Sequence, residues 1–188
     1  MARVTLIKPK RHGDERGWFV ETYSRRAAAA LGIGEEFVQD NQSLSRPAGT
    51  LRGLHFQTPP HGQAKLVRCL RGRILDVAVD VRRGSPTYGR SVSAELTAEN
   101  GHQLYVPVGF AHAFLTLEDD CEVAYKVSDY YAPQCDAGIR FDDPEIGIAW
   151  PIPAERLVLS PKDRALPRLS EFDSPFPYDG EPLSPDLA

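Results

Sequence analysis

The feature of this sequence that most constrains its fold is a succession of short, strand-like segments separated by turn residues. Segments of about six residues, rich in β-branched and aromatic side chains, recur between Gly, Pro, Asn and Asp. Many short strands of this kind predict an all-β sandwich or closed barrel. The segments that we interpret as strands are 3–8, 18–23, 36–41, 50–57, 65–72, 73–81, 90–96, 102–107, 111–117 and 121–127.

One helix is predicted near the N-terminus. Ser24 is a suitable N-cap for the segment RRAAAAL, and Gly32 is suited to ending the helix. From Pro151 onward the chain is rich in proline, which predicts an irregular wrap with one short helical turn near LSPKDRAL. We expect the tail after Phe176 to bury little apolar surface.

The length predicts a single domain. A chain of 188 residues that folds as one unit buries about 70% of its extended-chain surface, whereas two domains of half that size would have small cores. We therefore expect one jelly-roll domain over residues 1–188. Its core is expected at about 3–150, with the C-terminal wrap and tail at 151–188.

Composition narrows the class of protein. The 22 Lys and Arg against 26 Asp and Glu give a net charge of −4 without a basic run, which argues against a nucleic-acid partner. No apolar run approaches the ~18 residues of a membrane span, and we expect no signal peptide because the N-terminus lacks an apolar region. Cys69, Cys121 and Cys135 form no CxxC pair, so we expect reduced thiols in a cytoplasmic protein.

The segment TLRGLHFQ (50–57) combines a strand pattern with two polar residues of opposite parity. Strict alternation places Leu51 and His55 on one face of the strand, and Arg52 on the other. Both polar side chains can reach one site only if Gly53 marks a bulge or twist, or if Arg52 lies at the end of the strand and curls back. We expect His55 to point into the barrel and Arg52 to lie towards its rim.

Several other strand-like segments also carry one polar residue that interrupts an apolar pattern. Each of these residues alone is best interpreted as a paired core residue or a strand-end charge. Burying the whole set is costly unless its members pair or contact a ligand, so together they indicate a functional site. The set comprises Arg52, His55, Lys65, Asp76, His112 and Tyr125.

A metal site is not expected. The segment PVGFAHAF (107–114) contains the Pro-x-Gly-x-x-His pattern of the second metal-binding motif of cupins, which are double-sheet jelly rolls. The region GLHFQTPPHGQAKL, however, has His55 and His61 six residues apart and no His-x-His pair. Lys65 stands where a metal ligand would be needed, and its ammonium group would repel a cation. We therefore expect neither a metal nor another cofactor.

A series of motifs resembles the dTDP-4-dehydrorhamnose 3,5-epimerase family in order and spacing, from about residue 5 to residue 165. These motifs are GDERG, FVQDN, LRGLHFQ, KLVRC, RILDVAVD, SPTYG, QLYVPVGFAHAF, VAYKVSDYY, IGIAWP and LSPKD. The resemblance implies a cupin-type double-stranded β-helix, in a metal-free homodimer. It also implies inversion of the two carbons that flank the C4 ketone of dTDP-4-dehydro-6-deoxy-D-glucose, a step towards dTDP-L-rhamnose.

The resemblance also implies catalytic roles for four residues. His55 matches the base that removes a proton next to the ketone, and Asp163 matches the carboxylate that orients this histidine. Lys65 matches the cation near the ketone oxygen, where negative charge develops. Tyr125 matches the acid on the opposite face of the sugar, which inversion requires.

Substrate-binding roles follow from the same resemblance. Arg52 matches a residue that contacts the diphosphate, and His112 lines the pocket with Asp76 as a candidate partner. Part of the nucleotide site comes from the neighbouring subunit in this family, through exchange of N-terminal strands. The implied nucleotide contacts are Arg16, Glu21, Gln39 and Asn41, and the residues that pack on thymine or sugar are Phe19 and Tyr131.

The motifs leave alternatives open. The segment DAGIRF (136–141) departs from the common family pattern and could change the contacts with the substrate. Relatives that invert only one carbon keep the His, Asp and Tyr equivalents, so a 3- or 5-mono-epimerase of a dTDP-4-keto-6-deoxysugar fits the same residues. A cupin that binds sugar nucleotides without catalysis and a metal-dependent cupin oxygenase are the alternatives from other functional classes.

Overall fold

The computed structural model describes residues 3–184. This part of the chain contains twelve strands and two short α-helices. The helices are α1 (Arg25–Ala30) and α2 (Pro161–Arg164), and single 3-10 turns occur at Pro133–Cys135, Ala154–Arg156 and Leu169–Glu171. The strands are β1 (Thr5–Ile7), β2 (Arg11–Asp14), β3 (Gly17–Val20), β4 (Gln39–Ser45), β5 (Leu51–Gln57), β6 (Lys65–Arg71), β7 (Arg73–Asp80), β8 (Ser91–Thr97), β9 (Gln103–Val106), β10 (Phe110–Thr116), β11 (Cys121–Val127) and β12 (Asp136–Gly138).

Ten of the strands form two antiparallel sheets that face each other. The first sheet has the order β1-β9-β6-β11-β4, and the second has the order β12-β5-β10-β7-β8. Apolar side chains from the facing sides of both sheets form one buried cluster, which includes Val67, Val123, Ile74 and Phe114. The predicted all-β, cupin-type jelly roll is confirmed. The strands β2 and β3 form a separate hairpin.

The observed strands differ from the predicted ones in the β2–β3 hairpin and at one edge of the first sheet. The predicted strand 18–23 ends at Val20, and the predicted strand 36–41 begins only at Gln39 and continues to Ser45. The continuation was missed because QSLS is polar on alternate positions and carries little β-branched content. It forms because β4 pairs along its whole length with β11. The short strands β2 and β12 were also not predicted.

The predicted helix and C-terminal wrap are confirmed. The Ser24 hydroxyl accepts a hydrogen bond from the backbone N–H of Ala27, and Gly32 follows the helix with a φ of 80°. The wrap covers the outer side of the second sheet, where side chains such as Phe176 pack against Val77 and Val79. The expectation that the tail buries little is wrong, because Leu183 is 7% exposed and joins the cluster between the sheets.

The strand β5 contains the bulge that the sequence suggested. In β10 the residues His112 and Phe114 are two apart, but they pair with His55 and Arg52, which are three apart. The extra residue lies at Gly53, whose φ is 130° and whose Cα has no room for a side chain: a Cβ would come within 2.5 Å of Ala113. Strict alternation is therefore wrong here, since Arg52 and His55 line one cavity while Leu51 packs on the outer side.

Two further expectations concern membrane-spanning helices and the state of the cysteines. Within residues 3–184, no helix is long and apolar enough to cross a membrane. Cys69, Cys121 and Cys135 are buried and free. Burial raises the pKa of Cys69 to about 12, so this thiol is unreactive at neutral pH.

Candidate active site

A cavity of about 240 Å³ lies between the two sheets. The second sheet contributes Arg52 and His55 from β5 and His112 from β10, whereas the first sheet contributes Lys65 from β6 and Tyr125 from β11. The helix α2 adds further side chains from the wrap. The structure therefore brings together all four predicted catalytic residues, because Asp163 of α2 also lines this cavity.

His55 and Asp163 form a close pair. The distance from Nε2 of His55 to Oδ1 of Asp163 is 2.5 Å, and Asp163 is 3% exposed. The carboxylate is fixed by a local motif, in which the Ser160 hydroxyl caps α2 by accepting a hydrogen bond from the Asp163 N–H and Pro161 begins the helix. Burial opposes ionisation of Asp163, but the hydrogen bonds from His55 and Ser160 lower its pKa overall. Asp163 is therefore ionised at neutral pH and can orient the ring of His55.

A second His–Asp pair lies deeper in the cavity wall. Nε2 of His112 is 2.7 Å from Oδ1 of Asp76, and Asp76 is fully buried. The other oxygen, Oδ2, has no hydrogen-bond partner. Burial lowers the pKa of His112, although Asp76 opposes this effect. The predicted pairing of His112 with Asp76 is therefore present. The carboxylate of Asp76 can also stabilise a nearby cation.

Lys65 is a half-buried cation at the start of β6. Its Nζ donates a hydrogen bond to the backbone carbonyl of His55 at 3.2 Å, which joins the two sheets at the cavity. Burial lowers the pKa of Lys65 to about 8, while Asp76 and Asp136 act in the opposite direction and Lys162 lowers the pKa further. At neutral pH the amine is still mostly protonated, so it can stabilise negative charge on a bound oxygen.

Tyr125 and Arg52 lie on opposite walls of the cavity. Burial raises the pKa of Tyr125, and the nearby Arg52 counteracts part of this effect. The phenol is therefore protonated at neutral pH and available as a proton donor. The guanidinium of Arg52 donates from Nε to the Ser45 hydroxyl at 3.2 Å, which orients the exposed side chain at the rim. Its location at the rim agrees with the expectation from the sequence.

A wider cavity of about 470 Å³ shares His55, Lys65 and Tyr125 with the first. Gln39, Asn41 and Tyr131, which were predicted to bind the substrate, also line it. The Tyr131 hydroxyl donates a hydrogen bond to Asp136 at 3.1 Å, which raises the pKa of Tyr131. Polar groups from both sheets and from the loop that carries Tyr131 thus surround the entrance.

The remaining predicted residues lie apart from this site within one chain. Arg16 is in the β2–β3 turn and forms an ion pair with Asp14. Phe19 is 69% exposed on β3, and Phe19 and Glu21 line a separate groove beside α1. Among the described residues, these three are therefore not brought to the cavity that holds His55.

Several residues that line the site were missed in the sequence, among them Ser43, Lys162 and Asp136. Ser43 lines the inner cavity with a buried hydroxyl that has no hydrogen-bond partner. Lys162 lines both cavities and forms an ion pair with Asp136 at 2.5 Å. Lys162 precedes Asp163 in LSPKD, so the motif contained a signal for it, and Asp136 begins the atypical segment DAGIRF. Ser43 had no signal, because its segment was not predicted as a strand.

The residue types at the site bear on the metal question. In the described part of the chain, no three His, Cys, Asp or Glu side chains are grouped so that they could hold a metal ion. The histidines His55 and His112 each contact a carboxylate, and Lys65 lines the same cavity. Such a set is suited to acid–base chemistry on an organic substrate.

Comparisons with known proteins identify the family of the chain. The family model for dTDP-4-dehydrorhamnose 3,5-epimerase matches residues 1–171. The dTDP-4-dehydrorhamnose 3,5-epimerase of Sinorhizobium fredii is 52% identical over 182 residues, which cover 95% of this chain and 91% of the relative.

Solved structures show the same likeness. The crystal structure of dTDP-6-deoxy-D-glucose-3,5-epimerase from Legionella pneumophila, in complex with dTDP-4-keto-L-rhamnose, is 46% identical with a TM-score of 0.85, and the match covers 90% of this chain and 89% of that one. A 3′-monoepimerase from Streptomyces bikiniensis, in complex with dTDP-quinovose, is 37% identical with a TM-score of 0.82 over 89% and 84% of the two chains. The chain therefore belongs to the dTDP-4-dehydrorhamnose 3,5-epimerase family.

Proposed function

We propose that this protein is an isomerase that inverts C3 and C5 of dTDP-4-dehydro-6-deoxy-D-glucose, giving dTDP-4-dehydro-L-rhamnose for dTDP-L-rhamnose biosynthesis. One observation carries the proposal: a paired histidine, a half-buried lysine and a protonated tyrosine line one cavity, with the histidine and the tyrosine on facing sheets. The reaction requires these groups, because a proton must leave one face of the sugar and arrive on the other. The family membership supports the identity of the substrate.

His55 is the proposed base. When its Nε2–H donates to Asp163, the neutral ring carries its lone pair on Nδ1, which accepts the proton from the carbon next to the ketone. Asp163 holds this tautomer and stabilises the imidazolium that forms. The electrons of the broken C–H bond move into the bond between the two carbons, and the ketone becomes an enolate.

Lys65 and Tyr125 complete the proposed inversion. Lys65 stabilises the enolate oxygen in a setting where burial strengthens the interaction. Tyr125 then delivers its hydroxyl proton to the carbon from the opposite face, and the enolate returns to a ketone. The products at the protein are an imidazolium at His55 and a phenolate at Tyr125. Exchange of protons with water restores both groups, so solvent hydrogen enters the sugar.

The substrate-binding residues and the homodimer are part of the proposal. Arg52 would bind the diphosphate at the rim, His112 would line the sugar pocket, and Gln39, Asn41 and Tyr131 would contact the substrate at the entrance. The exposed β2–β3 hairpin supports a second copy as the partner, since Arg16, Phe19 and Glu21 lie away from the site of their own chain. Sedimentation of the purified protein should give the mass of two chains, and the mass of one chain would contradict this part of the proposal.

Two further proposals concern the chain as a whole. The facing sheets and the wrap that packs on the second sheet support one domain over residues 1–188. The free, buried cysteines support a cytoplasmic location, because an oxidising compartment favours disulfides. Cell fractionation tests the location.

The function is tested with purified protein in deuterium oxide, without added metal or nicotinamide. We expect deuterium at both C3 and C5 of the dTDP-4-keto sugar, together with inversion, when the reaction is followed by NMR. Tight binding of the sugar nucleotide without exchange would contradict the proposal and indicate a binding protein. The likeness to a 3′-monoepimerase favours a second candidate, in which only one carbon becomes labelled.

The pKa of Lys65 predicts an alkaline limit to activity. The amine must be protonated to stabilise the enolate, and its pKa of about 8 means that the cation is lost as the pH rises through that value. On the alkaline side of its pH profile, the wild-type enzyme should therefore have its highest kcat/KM below pH 8, and kcat/KM should fall as the pH rises above 8. In Lys65→Met we expect about 10²-fold lower kcat/KM and no such alkaline limb. A limb that survives in Lys65→Met would assign it to another group.

A further inference from the structure

We propose that Gln57 is a positioning residue that holds the loop carrying Tyr131 over the entrance of the active site. The inference rests on the proposed function and deepens it. Gln57 is the last residue of β5, two positions after His55, and it is 4% exposed. No reacting atom needs to contact it, so its effect on the reaction would pass through Tyr131.

The amide of Gln57 joins two loops by three hydrogen bonds. Its Nε2 donates to the backbone carbonyl of His61 at 2.7 Å and to that of Tyr130 at 3.1 Å. Its Oε1 accepts from the backbone N–H of Ala132 at 2.7 Å. The last two bonds hold the residues on either side of Tyr131, so the backbone of Tyr131 is fixed to the strand that carries His55.

These bonds leave Gln57 little capacity to bind a ligand itself. Both amide hydrogens of Nε2 have a protein acceptor, and Oε1 already accepts one hydrogen bond. The residue borders the wider cavity, yet its polar atoms are directed at backbone groups. Its contribution to the site is therefore the placement of the loop.

Tyr131 transmits this placement to the entrance. Its side chain is 59% exposed, and its hydroxyl contacts Asp136, which also binds Lys162 next to Asp163. An exposed side chain that is held at its tip by a single hydrogen bond has a well-defined position only if its backbone is also fixed. Loss of the Gln57 amide should thus weaken substrate binding and leave the proton-transfer groups in place.

Two variants of similar size test the inference. Gln57→Leu removes all three hydrogen bonds, whereas Gln57→Glu keeps an acceptor for Ala132 but turns an oxygen towards the carbonyls of His61 and Tyr130. For both variants we expect a KM about tenfold higher than that of wild type, with a kcat within about threefold of the wild-type value. Hydrogen exchange at the amides of residues 130–132 should become about tenfold faster in Gln57→Leu, while exchange in β7 and β10 stays unchanged.

The two variants should differ in their dependence on pH. When it is protonated, the carboxyl group introduced by Gln57→Glu can donate one hydrogen bond to a backbone carbonyl. The KM of this variant, divided by the KM of wild type, should therefore fall as the pH is lowered from about 9 to about 6. The ratio for Gln57→Leu should stay constant. Both variants retain the titratable groups nearby, which are Asp136 on β12, the pair of His61 with Asp129 in the two loops, and His55, Lys65, Tyr125, Tyr131 and Lys162 around the wider cavity.

The Tyr131→Ala background separates a positioning role from general stabilisation. If Gln57 acts through Tyr131, adding Gln57→Leu to Tyr131→Ala should change KM by less than about twofold. An undiminished rise of KM in that background, an unchanged KM in the single variants, or unchanged exchange at residues 130–132 would overturn the inference. If the wild-type enzyme does not turn over the keto sugar, the proposed function fails, and the exchange measurement still decides whether Gln57 holds the loop.

Discussion

His55→Gln should lower both turnover and deuterium exchange at C3 and C5 by about 10²- to 10⁴-fold, the range that a positioned general base contributes. The glutamine amide can still donate a hydrogen bond to Asp163, so the buried carboxylate keeps a partner and the fold is preserved. It cannot accept a proton at neutral pH. The loss should appear in kcat, with the binding of the dTDP product changed little, because the nucleotide contacts lie elsewhere.

The matched control for this experiment is His102→Asn. His102 lies in the turn between β8 and β9 and is not part of the site, so its replacement should leave exchange unchanged. The deuterium exchange rate of Asp163→Asn should lie between those of His55→Gln and His102→Asn. The introduced amide can still contact His55, but it does not stabilise the imidazolium. Deuterium exchange that persists in His55→Gln would show that another group removes the proton and would contradict the mechanism.

The sequence predicted the strands and most of the polar residues at the site because these features are local. The apolar pattern of RILDVAVDV was enough to single out Asp76, which contacts His112 of the cavity, from residues such as Val77 and Val79, which pack under the wrap. On β5 the same rule failed at one residue. The bulge at Gly53 reverses the parity, and the conflict between Arg52 and His55 was the visible sign of it in the sequence.

The pairing of His55 with Asp163 could not be predicted from local rules. The two residues are 108 positions apart, and the carboxylate lies in an irregular wrap without a periodic pattern. Resemblance to the family supplied this pair. Lys162 and Asp136 show the same limit, since their ion pair joins α2 to the short edge strand β12, and neither element has a strong sequence signal.

The hairpin residues show a different limit. Arg16, Phe19 and Glu21 have a clear motif, but within one chain they line no part of the cavity that holds His55. A strand pattern describes the environment of a residue within its own chain, and the proposed contact involves a second copy. The exposure of the adjacent side chains Trp18 and Phe19 is the structural observation that supports the proposed contact.

Tyr125→Phe should slow net inversion far more than it slows deuterium exchange. His55 and Lys65 remain, so the proton next to the ketone still leaves and the enolate still forms. His55 is partly exposed, with 29% of its side chain accessible, so its captured proton can exchange with solvent before it returns to the same face. The substrate should therefore gain deuterium without changing configuration, and inversion should fall by about 10²-fold or more.

The substitution isolates the hydroxyl, because the phenylalanine ring retains the contacts that Tyr125 makes with the cluster between the sheets. The control Tyr178→Phe removes the hydroxyl of a ring that packs near the Arg82 guanidinium and lines neither cavity that holds Tyr125, so it should leave both rates unchanged. NMR in deuterium oxide measures labelled substrate and inverted product in the same sample. Equal loss of exchange and inversion would mean that Tyr125 acts before the enolate forms, since an acid that acts only on the opposite face cannot slow the removal of the proton.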